Sequence, residues 1–223
     1  MEEREDTPAP QDGRHQALFG SAWPQYNKPG RIVTLGHYYP REPAGTAKML
    51  LREPRSEYAT ESPAAGRAVR QNLGWTQLIN ALNDERQWPL KRLFGILDPM
   101  LEPDIALAVV PTHIAYQAFW PLRTLTQQLA AHGRIDATSC LVRHTTIRRI
   151  TFGGPSTRAL HRQTVRVENG SLIQDKRVLL LDDIARSGAS LVACREMLQE
   201  AGATVVQAMA LGRVIVGTQE AAG

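Results

Sequence analysis

Cysteine is nearly absent. Cys140 and Cys194 are the two in 223 residues, too few and too far apart for a zinc cluster or a disulfide framework. A reducing, intracellular (cytoplasmic) location is the expectation that follows. No stretch approaches the ~18–20 uninterrupted apolar residues that a membrane-spanning helix needs, so no membrane partner is expected. The opening "MEEREDTPAPQDGRHQ" is acidic and polar, unlike a signal or transit peptide. Internal repeats are missing, as are helix-turn-helix, zinc-finger and RNP signatures, which argues against a sequence-specific nucleic-acid reader. One further absence is local: from Ala137 to Val167 there is no acidic residue.

What is there is the composition of a soluble globular protein, 43% hydrophobic and 22% charged. The net charge of +4 is unevenly spread. The acid-free stretch carries Arg143, Arg148, Arg149, Arg158, Arg162 and Arg166, with His144 and His161. Such a local basic field suits an anionic partner, either phosphates on a small molecule or nucleic acid; a solvated basic loop is the plainer alternative.

Residues 1–29 mix charge, Pro and Gly without apolar periodicity and are expected to form a disordered or loosely draped arm. "GRIVTLGHYYP" (30–40) has the alternation and β-branched content of a strand, ended by Pro40. Residues 52–67 are loop-like. Between Gln71 and Met100 the apolar positions Leu73, Leu78, Ile79, Leu82, Leu90, Leu93, Phe94 and Leu97 follow helical spacing, with Pro89 expected to separate two helices. "DIALAVVP" (104–111) predicts a strand buried on both faces. "PLRTLTQQLAAHG" (121–133) predicts a helix with Pro121 in its first turn and Gly133 beyond its end. "ATSCLVRH" (137–144) and "RVLLLDD" (177–183) predict the next two strands. "SLVACREMLQEAG" (190–202) predicts a helix capped by Ser190 and stopped by Gly202, and "TVVQAMALGRVI" (204–215) a last strand. The alternation of strand and helix predicts an α/β fold, a parallel sheet flanked by helices, with ligands bound along the edge formed by the strands' C-terminal ends. The tryptophans Trp23, Trp75, Trp88 and Trp120 are expected to pack rather than stack on bases. His37 and His113 are expected to be structural, and Cys194 a small buried hydrophobe.

The stretch 178–190, "VLLLDDIARSGAS", carries the chemistry. Val178–Leu181 bury a strand, and Asp182 and Asp183 fall where it emerges. Ala185, Ser187, Gly188, Ala189 and Ser190 then let backbone N–H groups approach a ligand at a helix N-terminus, where a phosphate is favoured. Carboxylates beside a phosphate cradle need hydroxyls or a cation to meet. A sugar diol carrying a phosphate supplies the first, Mg²⁺ the second.

This stretch resembles the phosphoribosyl-pyrophosphate (PRPP) motif of type I phosphoribosyltransferases: four hydrophobics, two acids, a hydrophobic, then a Thr/Ser/Gly-rich loop. The resemblance implies that Asp182 and Asp183 hold the ribose hydroxyls and that Ala185, Arg186, Ser187, Gly188, Ala189 and Ser190 hold the 5′-phosphate. Arg186 stands where the family usually has a small hydroxyl residue. The family's pyrophosphate-contacting loop would be Pro111, Thr112 and His113, and its basic cover residues 144–166, with "FGGP" (152–155) as a joint. Arg143, Arg148, Arg149, Arg158 and Arg162 would then neutralise the diphosphate. Mg²⁺ would come with PRPP, touching Asp182 or Asp183 through water. Within the family the chain is most similar to ComF-like competence phosphoribosyltransferases, by its helical prelude, the Pro-containing loop after "DIALAVVP", and "RVEN" (166–169). It lacks the four-Cys zinc element of ComF relatives and has "FWPLRT" (119–124) in place of their "RGFNQ"-like helix start.

The organisation so implied is an arm (1–29), a hood strand and helical prelude (30–100), and a phosphoribosyltransferase core (101–223). The hood, built from residues 30–75 and 212–223, would select the acceptor. The implied activity is displacement of pyrophosphate from PRPP by a nitrogen nucleophile on a nucleobase or amine, and a homodimer is compatible with it. Two rivals stay open, a PRPP- or nucleotide-sensing regulator without turnover and a nucleic-acid-uptake factor that binds DNA through its basic loop.

Overall fold

The computed structural model describes residues 17–40, 74–148 and 156–215. Five parallel strands form its main sheet, in the order β1-β7-β6-β2-β3. They are β1 (Ile32–Tyr38), β2 (Ala106–Val109), β3 (Ile135–Asp136), β6 (Arg177–Ala185) and β7 (Val205–Val214). Two further strands, β4 (Leu141–Arg143) and β5 (Val165–Val167), pair antiparallel with each other outside it. The helices are α1 (74–83), α2 (Gln87–Leu97), α3 (Pro121–Ala130), α4 (Arg158–Thr164) and α5 (Ala189–Glu200). The α/β architecture is therefore as expected, and no described helix is long and apolar enough to cross a membrane.

Strand alternation divides the interior in two. Leu107, Val109, Leu179, Leu181 and Met209 pack with the leucines of α1, α2 and α3. Their neighbours Ala106, Ala108, Val178, Leu180 and Ala208 face α5 and the β4–β5 pair on the other side. Each fully buried leucine contributes about 1.5–3 kcal/mol of apolar burial. The helices therefore hold β6, the central strand, from both faces.

Four expectations change. Residues 17–29 are not a loose arm. Leu18 and Phe19 are fully buried, Asn27 bonds the backbone of both, and Phe19 bridges to Leu101. An apolar pair too short to show periodicity anchors this segment, while residues 1–16 lie outside the described residues. The helical stretch breaks at 84–86 rather than at Pro89, where Glu85 adopts a φ of 59°. Pro89 sits in the first turn of α2, where its missing N–H has no intrahelical partner to lose. The strand expected at 137–144 does not continue the sheet. The Asp136 carboxylate accepts from both the amide and the hydroxyl of Thr138, at 2.9 and 2.7 Å, and this turn carries the chain out to β4. Finally, the strand at 30–40, expected in a hood, is an edge strand of the main sheet, in parallel register with β7.

That edge also explains how α1 docks. Gly36 of β1 pairs with Gly212 of β7, leaving a shallow floor. Trp75 lies over Gly36 and donates from Nε1 to the Leu211 carbonyl at 2.5 Å, while Ile79 reaches Gly212. Trp75 thus packs as expected, and Trp88 stays exposed. A Cβ at Gly36 would lie 2.7 Å from the indole Cδ1. Gly36→Ala should therefore cost about 1–3 kcal/mol by overpacking. Urea denaturation checks this, and an unchanged midpoint would show that the indole is free to shift.

Candidate functional site

The neighbouring strands β2 and β6 send their connections to opposite faces of the sheet. From β2 the chain leaves to α3 on one face, and from β6 it leaves to α5 on the other. Between adjacent parallel strands this opens a crevice beyond their C-terminal ends, the usual ligand position of open α/β sheets. β2 ends level with Leu181, and Val110 N–H makes the last bond across, to the Leu181 carbonyl. β6 runs four residues further, through Ala185, paired there with β7 alone. Asp182 and Asp183 lie on that overhang.

Period-2 alternation sends the two carboxylates to opposite faces. Asp182 is 9% exposed and turns toward α5, where its Oδ2 accepts the Ser190 hydroxyl at 3.0 Å. Its Oδ1 takes the Asp183 amide at 2.9 Å. Burial, and next the charge of Asp183, push the Asp182 carboxyl well above the usual carboxylate range. Asp183 faces the α1 side and is half-buried. Its Oδ2 accepts from Asn83 Nδ2 at 2.8 Å and its Oδ1 from the Ile184 amide at 2.7 Å. Ser190 is thus spent on Asp182 and does not cap the helix. The cap position of α5 is Gly188, with a φ of 77° and no side chain to occupy the first-turn amides. A Cβ there would also meet Ile32 Cδ1 at 2.5 Å, so glycine is required twice over. Arg186 and Ser187 are exposed, Ala185 is buried, and the Ser187 hydroxyl accepts the Ala189 amide at 3.3 Å. The loop 185–190 therefore ends beside both acids at a helix N-terminus whose cap residue carries no side chain, with Ser187 holding the Ala189 amide alone.

Across the crevice lies the loop after β2. Pro111, Thr112 and His113 are followed by Tyr116 at a φ of 54°, and no described peptide bond is cis. This loop is laced to residues 143–147: Tyr116 N–H donates to the Arg143 carbonyl, Ile147 N–H to the His113 carbonyl, and Ala115 N–H to Thr146 Oγ1. Ile114, Tyr116 and Phe119 are exposed along it. Arg143 is buried behind it, donating to the Thr112 carbonyl, to Thr164 Oγ1 at 2.6 Å and to His161 Nδ1 at 3.3 Å.

The other arginines divide. Arg158 and Arg162 sit on α4 and pair with Glu196 and Glu200, Arg158–Glu196 at 2.7 Å and Arg162–Glu200 at 2.8 Å. Those acids lie two to three turns along α5, on the order of 10–16 Å from its N-terminus at 1.5 Å per residue. These two arginines, expected to neutralise the diphosphate, are thus engaged by acids of α5 well beyond its first turn. Arg166 pairs with Glu168 and lies over the Tyr116 ring. Arg148 is exposed next to the loop pairing. Arg149 and the "FGGP" joint lie outside the described residues, and the rest of the expected cover includes α4, packed on α5. Sequence reading missed Asn83, whose signal was no more than a polar residue ending a helical run, and Thr164, which carried none. No cluster of three metal-ligating side chains occurs among the described residues. Burial pushes the Cys194 thiol up to about 12, as befits an inert core residue.

No family model and no curated protein matches the sequence. Among solved structures, the chain is similar to the phosphoribosylpyrophosphate synthetase of Mycobacterium smegmatis over 57% of its own length, with a TM-score of 0.33 and 15% identity. It spans about a third (34%) of the length of that synthetase. It is also similar to the purine phosphoribosyltransferase of Pyrococcus horikoshii Ot3, over 63% of this chain and 86% of that one, with a TM-score of 0.29 and 15% identity. At these TM-scores neither likeness bears on function; the residues of the crevice do.

The buried ring of His161 gives this region a pH dependence. Burial, and then the Arg143 charge, lower its pKa from 6.5 to about 4. As pH falls the unfolded chain takes up the proton first. The stability tied to the neutral ring is therefore complete above about pH 6.5 and is lost as pH falls toward 4. Asp182 acts in the opposite sense, since its raised carboxyl binds a proton more readily when folded. Comparison with His161→Gln isolates the contribution of the ring, because Asp182 is present in both proteins. Wild type should lose on the order of 2 kcal/mol more than the variant between about pH 7.5 and 5. Parallel denaturation curves would mean that the ring protonates as easily folded as unfolded.

Proposed function

We propose that the crevice between β2 and β6 binds PRPP and that the chain is a type I phosphoribosyltransferase-like protein, transferring the phosphoribosyl group to a nitrogen acceptor with release of pyrophosphate. One observation carries this reading: the acid pair and the glycine-capped loop 185–190 stand together at the switch point of the sheet. A helix N-terminus whose cap residue carries no side chain suits the 5′-phosphate. Asp183, half-buried with its carboxylate oriented by Asn83 and the Ile184 amide, suits a ribose hydroxyl. Asp182, more deeply set and already holding Ser190, suits the floor of the site. The loop at 111–113 lies across from both and suits the diphosphate. With this placement the protein's work is to hold the ribose and the departing diphosphate in line while the C1–O bond breaks and the C1–N bond forms.

Mg²⁺ fits this site as a companion of the ligand, because it is commonly held by one or two carboxylates together with substrate phosphates and water. Asp183 is the carboxylate open enough to serve. Bound there, the cation would offset the negative charge of the diphosphate. The acceptor is a nucleobase or another amine. A second reading, PRPP or nucleotide sensing without turnover, draws support from α4: Arg158 and Arg162, expected to neutralise the leaving group, are engaged by Glu196 and Glu200.

Calorimetric titration with Mg-PRPP should give micromolar affinity, about 8 kcal/mol, from three or four charge-assisted hydrogen bonds. Asp183→Asn should weaken it about tenfold or more; equal affinity in both proteins would remove the carboxylate from the site. Arg186→Thr separates two roles for the arginine, and the contact expected with the phosphate predicts weaker binding of ribose 5-phosphate. Pyrophosphate release across a panel of nucleobases and amines distinguishes the enzyme from the sensor.

A further inference from the structure

Arg143 is 2% exposed, and a guanidinium keeps its charge under burial. Enclosing it is costly unless its N–H groups are met. Yet among the described residues no carboxylate lies in ion-pair range of it. Its partners are neutral acceptors drawn from two other segments: the Thr112 carbonyl in the loop after β2, and Thr164 Oγ1 and His161 Nδ1 on α4. Because a guanidinium only donates, His161 must turn its Nδ1 lone pair to Arg143 and carry its proton on Nε2. Nε2 is buried without a hydrogen-bond partner. The histidine thus gives up one hydrogen bond to serve the arginine. Thr164 is committed in the same way, accepting from Arg143 and donating to the Leu160 carbonyl at 2.7 Å.

We propose that Arg143 is a positioning residue: by bonding the Thr112 carbonyl from behind, it sets the Pro111–His113 loop at the mouth of the crevice and ties that loop to α4. The inference rests on the reading of the crevice as a PRPP site, and it moves Arg143 from the diphosphate to the scaffold behind it. The geometry supports the move, because the guanidinium is 2% exposed and directs an N–H from each of its three nitrogens to an acceptor behind the loop or on α4. The loop and α4 should then respond as one body, since the same side chain holds both. α4 is in turn fixed to α5 by the Arg158 and Arg162 ion pairs.

The test uses the full chain with Arg143→Lys, which keeps the charge but loses the planar fork, and Thr164→Val, which removes an anchor on the side of Arg143 away from the loop. Without ligand, the amides of Tyr116 and Ile147 should exchange about tenfold faster in both variants, as expected for the loss of a hydrogen bond's worth of local stability, with α3 and β7 unchanged. Unaltered exchange in that loop would overturn the proposal. With ligand, both variants should bind inorganic pyrophosphate about tenfold more weakly and ribose 5-phosphate as before, the scale on which misplaced site groups are felt. Loss of pyrophosphate binding in Arg143→Lys alone would make Arg143 a direct contact and refute the positioning role. Should wild type bind neither ligand, the PRPP reading fails, and the exchange result still decides whether Arg143 holds the loop. Should Arg143→Lys not fold, Thr164→Val carries both measurements.

Discussion

β6 lies in the middle of the sheet with helices on both faces, and the alternation of its side chains governs what surrounds it. Its even-numbered residues Val178 and Leu180 must satisfy the α5 side, and its odd-numbered residues Leu179 and Leu181 the α1–α3 side. The strand does not stop where its neighbour β2 stops. It continues past Leu181 under the hold of β7 alone, so the same alternation is imposed on the two acids that follow. Asp182 is drawn into the α5 side and its partner is a hydroxyl. Asp183 is left toward the crevice and its partner is an amide from α1. Two adjacent and chemically identical residues thereby acquire different surroundings.

The same constraint decides where positive charge can sit. Burial weakens the hold of Arg143 on its proton, and among the described residues no carboxylate stands in ion-pair range to offset the cost of enclosing it. Arg143 in turn needs acceptors, and it finds them in Thr112, His161 and Thr164. Through these bonds the loop after β2 and the short helix α4 become attached to the crevice from behind. The outer arginines of α4 belong to a different arrangement, an exposed set of ion pairs with α5. Such pairs contribute little to stability, at most about 1 kcal/mol each, and their effect is to hold α4 flat along α5.

Several of these features were legible in the residues themselves. "VLLL" reads as a doubly buried strand because nothing polar interrupts it, and Gly188 reads as a conformational necessity because small residues surround it before a helix. Pro121 and Gly133 bracket α3 through backbone chemistry that no neighbour alters. Other features were hidden for physical reasons. The "ATSCLVRH" run has strand composition throughout, but a single side chain-to-backbone turn at Asp136 and Thr138 takes it out of the sheet. Leu18 and Phe19 form an anchor too short for any period to reveal. The acid-free run of arginines looks like one basic field in sequence, yet its counter-charges, Glu196 and Glu200, are some 40 residues further along the chain and unite with it only on packing.

The sequence alone determined the alternation of elements, the parallel sheet, and the acid pair with its glycine-bearing loop at the end of a buried strand. These depend on local composition and period, which folding preserves. Tertiary structure decided which carboxylate faces the crevice, that Asn83 orients it, and that Arg143 is a buried strut while Arg158 and Arg162 are surface partners of α5. Those outcomes depend on how far one strand outruns its neighbour and on which distant acceptors a buried charge can reach. Both are set by the register and packing of the whole sheet, and no local window of residues contains them.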